Sequence, residues 1–168
     1  MRRLLAFLSV AALALIALPS GAGAEGADIY GVGGGSISDV GQKFAKFAFS
    51  GHTGPGGDFG QFRVTLEDPN APLDVHVDVN CVKVFPFPPG AGGYMSGPVK
   101  KVSPQPNFLF ITPGDELLLG FNDFGEPSDP VPDELNLFFE PAQPQSCRTF
   151  PPLPHIPIDQ GNIVVKLG

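Results

Sequence analysis

The residues best placed to do chemistry lie in one acidic stretch, Asn122-Asp123-Phe124-Gly125-Glu126-Pro127-Ser128-Asp129-Pro130-Val131-Pro132-Asp133-Glu134. Several carboxylates around one loop supply the hard oxygen ligands that Ca²⁺ takes, and extracellular calcium would fill even a weak site. Asp123, Glu126, Asp129 and Asp133 are therefore a candidate calcium set. Their spacing is not that of an EF-hand, and the prolines equally suit a rigid, solvated connection between two strands. No other cofactor is expected.

The remaining reactive residue types do not converge. His52 falls in a Gly-rich stretch, His76 on a polar strand phase and His155 among prolines. This is not the close or paired spacing of zinc ligands, and no Gly-x-Ser-x-Gly elbow is present, so surface histidines and no catalytic residues are expected. Gly31-Val32-Gly33-Gly34-Gly35-Ser36 would cradle a phosphate only with a helix behind it, and strand-like residues follow instead. Cys81 and Cys147 are too far apart for a Cys-x-x-Cys redox motif.

These residues belong to a chain whose first 24 residues say where it goes. Arg2-Arg3, the apolar run Leu4 to Leu18 and Ala22-Gly23-Ala24 have the order of a secretory signal peptide. The apolar run is shorter than a membrane-spanning helix needs, and no Cys follows it for lipid attachment. Cleavage after Ala24 leaves residues 25–168, a length that suits one domain with its own core. Without Arg2 and Arg3 the 10 basic residues become 8 against 17 acidic ones, a net charge of about −9. That field repels phosphate backbones and anionic membranes, which argues against nucleic acid and against membrane insertion after cleavage. In an oxidising compartment an even Cys count favours a bridge, here Cys81–Cys147.

The elements that must position these residues are strands. Apolar side chains recur with period two at Ala45/Phe47/Phe49, Phe62/Val64/Leu66, Val75/Val77/Val79/Cys81, Leu117/Leu119/Phe121, Leu135/Leu137/Phe139 and Ile163/Val165/Leu167. After Cys81 the apolar phase moves to Val82 and Val84, as at a bulge or a crossing between sheets. Turn formers crowd residues 51–60, 86–93, 104–107, 125–132 and 141–145, and no helical stripe occurs outside the leader. The pattern predicts an all-β domain, an antiparallel barrel or two-sheet sandwich of about eight strands. The Gly-rich strand Tyr30–Ser38 and the late strand Ile163–Leu167 are expected to be neighbours, closing the sheet.

Several short motifs, in this order, cover most of the mature chain: Gly33-Gly34-Gly35-Ser36-Ile37, Lys46-Phe47-Ala48-Phe49, Gly60-Gln61-Phe62, Val79-Asn80-Cys81, Asn122-Asp123-Phe124-Gly125-Glu126-Pro127 with Asp133, and Gly161-Asn162-Ile163-Val164-Val165. Together they resemble the post-COAP domains, small bacterial secreted or cell-surface modules. The chain departs from that pattern at Ser128, where a Gly is common. The resemblance implies secretion and an all-β module, and it carries no reaction.

The sequence thus points to a secreted or cell-surface, non-enzymatic β-domain with a binding or envelope accessory role and an unidentified envelope partner. The alternative is a carrier of a small apolar ligand, since Phe accounts for 15 residues against two Tyr and no Trp. A barrel of about eight strands can enclose one such ligand.

Overall fold

The structure is a computed structural model that describes residues 29–40, 43–125, 130–138, 147–149 and 155–168. Its strands are β1 (Ile29–Val40), β2 (Lys43–Gly54), β3 (Gly57–Leu66), β4 (Leu73–Val79), β5 (Cys81–Phe87), β6 (Gly90–Ser103), β7 (Glu116–Asp123), β8 (Glu134–Phe138), β9 (Ile156–Pro157) and β10 (Gln160–Lys166). All pairings are antiparallel, in the order β10-β1-β2-β3-β4-β6-β7-β8-β9, with β5 also paired to β6. The sheet curls into a half-barrel whose last strand, β10, comes to lie against β7. The fold is all-β, as the two-residue period requires.

The terminal strands are neighbours, β1 pairing β10 from Tyr30↔Lys166 to Ser36↔Gln160, but the pairing does not close the sheet as expected, because β10 is an end of the path and β9 the other. The phase shift after Cys81 is a local interruption, bulge-like, and not a crossing to another sheet. Asn80 interrupts the chain between β4 and β5, and both strands lie along the same side of β6.

The strand that does most to join the two halves has no sequence alternation. β6, 14 residues long, pairs with β4 through Val99–Ser103 and with both β5 and β7 through its Gly90–Pro98 half. From Ala91 to Gly97 every residue is buried, so both faces are covered and no polar phase is left to read. The segments expected as loops at 51–60 and 86–93 are hairpins in which strand continues almost to the tip. Only Pro55-Gly56 separates β2 from β3, and only Pro88-Pro89 separates β5 from β6.

The core lies inside the curl. Ile37, Phe47, Phe49, Phe62, Val64, Val75, Val77, Leu117, Leu119, Phe121 and Ile163 are among its buried side chains. Glycines of β1 make room for the largest of them. A Cβ at Gly31 would sit 2.6 Å from the Phe121 ring, and one at Gly33 would sit 2.8 Å from the Phe49 ring. The low bulk of β1 is therefore complementary to two aromatic rings, which contact each other with centroids 4.9 Å apart.

A second, smaller cluster covers the opposite face of β6 and β7, where Tyr94 and Leu118 pack with Cys147. Cys81 and Cys147 form a disulfide with Cα atoms 5.8 Å apart, pinning the later segment over this face. A bridge of this kind belongs to an oxidising environment.

Candidate binding face

Strand alternation sends Phe47, Phe49, Phe62 and Val77 into the core, so the residues between them must face out. Across β10, β1, β2 and β3 the register aligns Lys166↔Tyr30, Tyr30↔His52 and His52↔Phe59. The four side chains form one outward rung. Lys166 Nζ lies 5.9 Å from the Tyr30 ring centroid, Tyr30 and His52 are 5.7 Å apart, and His52 stacks on Phe59 at 5.2 Å. Phe59 ends the stack and is 58% exposed. Tyr30 and His52 are half-buried in the row, and an aromatic row on a paired sheet is pre-ordered and costs little rotamer entropy to use.

Beside this rung the outward side chains become small at Ala48 and Ser50. The dip they leave is a cleft of about 450 Å³ whose other walls are Gln61, Arg63, His76, Asp78 and Lys100. It is centred on β2, β3 and β4, with Gly33 of β1 at one end and the Lys100 side chain of β6 reaching in at the other.

The charges around the cleft are paired. Arg63 donates from Nε and Nη2 to the two oxygens of Asp74 at 2.7 and 2.9 Å, and Thr65 Oγ1 donates to the same carboxylate at 3.2 Å. His76 Nε2 lies 3.5 Å from it. The Arg63 hydrogen bonds hold Asp74 below the usual carboxylate range, against a smaller desolvation effect, with the charges of Arg63 and His76 and the Thr65 hydroxyl assisting. Lys100 pairs with Asp78 at 3.1 Å, and Lys46 with Glu67 at 2.7 Å.

Two carboxylates of the acidic stretch serve the backbone. Asp133 is buried, and its carboxylate accepts backbone N–H groups from Phe124 at 2.9 Å and from Ile163 at 2.6 Å. Asp123 accepts from Gly125 and, at 2.8 Å, from Val165. Both carboxylates therefore hold the outer edge of β10 to the β7–β8 end of the sheet. Burial pushes the Asp133 carboxyl above its ordinary range, the two backbone hydrogen bonds oppose this, and the nearby Asp123 charge adds to it. Of the calcium candidates, Asp123 and Asp133 are brought together in this seam, and Glu126 and Asp129 lie outside the described residues. Among the described residues no group of three or more His, Cys, Asp or Glu could hold a metal ion.

On the other seam Asp58, its side chain only 8% exposed, accepts from Arg148 Nη2 at 2.7 Å and from the Val82 N–H at 3.0 Å. The three histidines are dispersed. His52 is in the rung rather than in a loop, His76 is at the cleft, and His155 lies behind β7 near Tyr94, with ring centroids 6.5 Å apart.

Among the described phenylalanines, Phe47, Phe49, Phe62 and Phe121 fill the interior, Phe85 and Phe124 are half-buried, and Phe59, Phe87, Phe108 and Phe110 are exposed. The rings that would have to line an enclosed ligand space pack on one another and on the glycines of β1.

Sequence reasoning missed the rung because residues 51–60 read as turn. The signal was present: His52 continues the polar phase of Lys46, Ala48 and Ser50, and Phe59 that of Gln61, Arg63 and Thr65. Comparison of the chain with known protein families, curated proteins and solved structures finds no match.

Proposed function

We propose that this chain is a secreted or cell-surface, non-enzymatic β-domain that works by binding, through the outward face of β1, β2, β3, β4 and β6. The observation that carries this reading is the outward rung Lys166–Tyr30–His52–Phe59, in which the half-buried rings of Tyr30 and His52 lead to the exposed Phe59, fixed by backbone pairing beside a cleft. The signal peptide and the disulfide support an extracytoplasmic location. A non-catalytic role is supported by the charge pairing at the cleft. A general acid or base works best with its pKa near the operating pH, and Asp74 is held in the opposite direction by Arg63.

The test is retention of the purified mature protein on envelope material from the cells that make it, wild type against Phe59→Ala. Because Phe59 is largely exposed, the substitution should leave the melting temperature unchanged and lower retention at least fivefold. Equal retention of the two proteins, or hydrolytic turnover by the wild type that is lost on a single substitution at the cleft, would overturn the reading.

A further inference from the structure

We infer that the ligand of this face is a neutral, hydroxyl-rich polymer, a polysaccharide strand lying along the cleft across the strands. The inference rests on the binding role proposed above and adds the class of ligand.

Three observations select that class. First, the cleft is charge-balanced: the cations at its walls, Arg63 and Lys100, are already paired with Asp74 and Asp78. An anionic or cationic ligand would have to break these pairs, whereas a hydroxyl both donates and accepts and can join them without displacing a charge. Gln61, with an amide donor and acceptor, and the Ser50 hydroxyl have the same double capacity. Second, the chain as a whole carries a large excess of acid, which disfavours the long-range approach of an anionic polymer. Third, the cleft is open, and the Tyr30–His52–Phe59 row stands one outward rung away from its Ser50 and Gln61 walls, so a ligand longer than the cleft can lay the apolar C–H faces of its sugar rings against aromatic surface while its hydroxyls meet the polar walls.

The experiment is native affinity electrophoresis of the mature protein through gels containing a neutral polysaccharide (β-glucan, xylan, mannan or galactan in separate gels), polygalacturonate, or single-stranded DNA. Wild type, Ala48→Phe, which fills the cleft from an exposed strand position, and Gln61→Ala are run side by side, with circular dichroism to show that each variant folds. Retardation by at least one neutral polysaccharide is expected, weakened at least tenfold by Ala48→Phe and several-fold by Gln61→Ala. Retardation only by polygalacturonate or DNA, still abolished by Ala48→Phe, would overturn the ligand class and leave the face as a binding surface. Neutral-glycan retardation unaffected by either cleft variant would overturn the cleft as its site. No retardation by any polymer, together with envelope retention indifferent to Ala48→Phe and Phe59→Ala, would overturn this inference and the binding role together.

Discussion

Replacing Asp133 with Asn tests whether the acidic stretch is a structural seam. In the native protein the two carboxylate oxygens accept from Phe124 and Ile163, and the Ile163 residue is fully buried. An amide keeps one acceptor and turns an N–H₂ group toward the second backbone donor. One hydrogen bond to a charged acceptor is lost, and a buried N–H is left unsatisfied, at a cost of about 1–3 kcal/mol. Asp133→Ala removes both acceptors and should cost about 2–4 kcal/mol, the Phe124 amide recovering some of its loss from water.

Urea unfolding at pH 7 reads this as a lower midpoint at unchanged slope. The pH dependence supplies a second, independent readout. Because the folded-state pKa of Asp133 is raised, the native state binds the proton more tightly than the unfolded chain does. Its contribution is therefore greatest below the ordinary carboxylate range, falls as pH rises through the raised folded value, and is constant above it. The stability difference between wild type and Asp133→Asn should accordingly be larger at pH 4 than at pH 7. An Asn variant within about 0.5 kcal/mol of wild type at both pH values, well below the penalty of an unmade buried hydrogen bond, would refute the seam.

Two further outcomes follow from the packing and the bridge. Gly31→Ala places a methyl 2.6 Å from the Phe121 ring and should lower stability by about 1–3 kcal/mol, whereas Gly34→Ala, whose nearest neighbour is 3.4 Å away, should be close to neutral by thermal melting. Reversal of that order would mean the glycines of β1 are not spaced for the rings. The Cys81→Ser, Cys147→Ser double variant releases a loop of 66 residues and should lose about 4 kcal/mol in denaturant unfolding, and non-reducing mass analysis of the wild type should find no free thiol.

What the sequence made legible was the part of the fold with one wet face. β2, β3 and β4 each bury one face and expose the other, so their period is written in the residues, and β10 could be matched to β1. What stayed hidden was β6, because burial on both faces removes the polar phase. Its Gly92, Gly93 and Gly97 resemble turn formers but serve close packing: a Cβ at Gly93 would meet the Phe121 ring at 2.5 Å, and one at Gly97 would meet the Asp78 carbonyl oxygen at 2.0 Å. The rung was hidden for a related reason, since it exists only across four strands and no single segment contains it.

The acidic residues show a structural role that composition alone does not reveal. A sheet that curls without closing has edges, and each edge is a row of N–H and C=O groups that invites another chain. The edge strands here are β5, β9 and β10, and carboxylates meet two of them: Asp58 accepts from Val82 on β5, while Asp133 and Asp123 accept from Ile163 and Val165 on β10. An aspartate side chain at these positions supplies the acceptors that a further strand would have supplied, and it does so without offering a new edge in turn. From the sequence, a carboxylate serving a backbone N–H looks the same as one awaiting a cation. The difference lies entirely in which strand the curl brings alongside, so a clustered set of acids in a Gly- and Pro-rich β-domain can be a means of finishing a sheet as readily as a metal site.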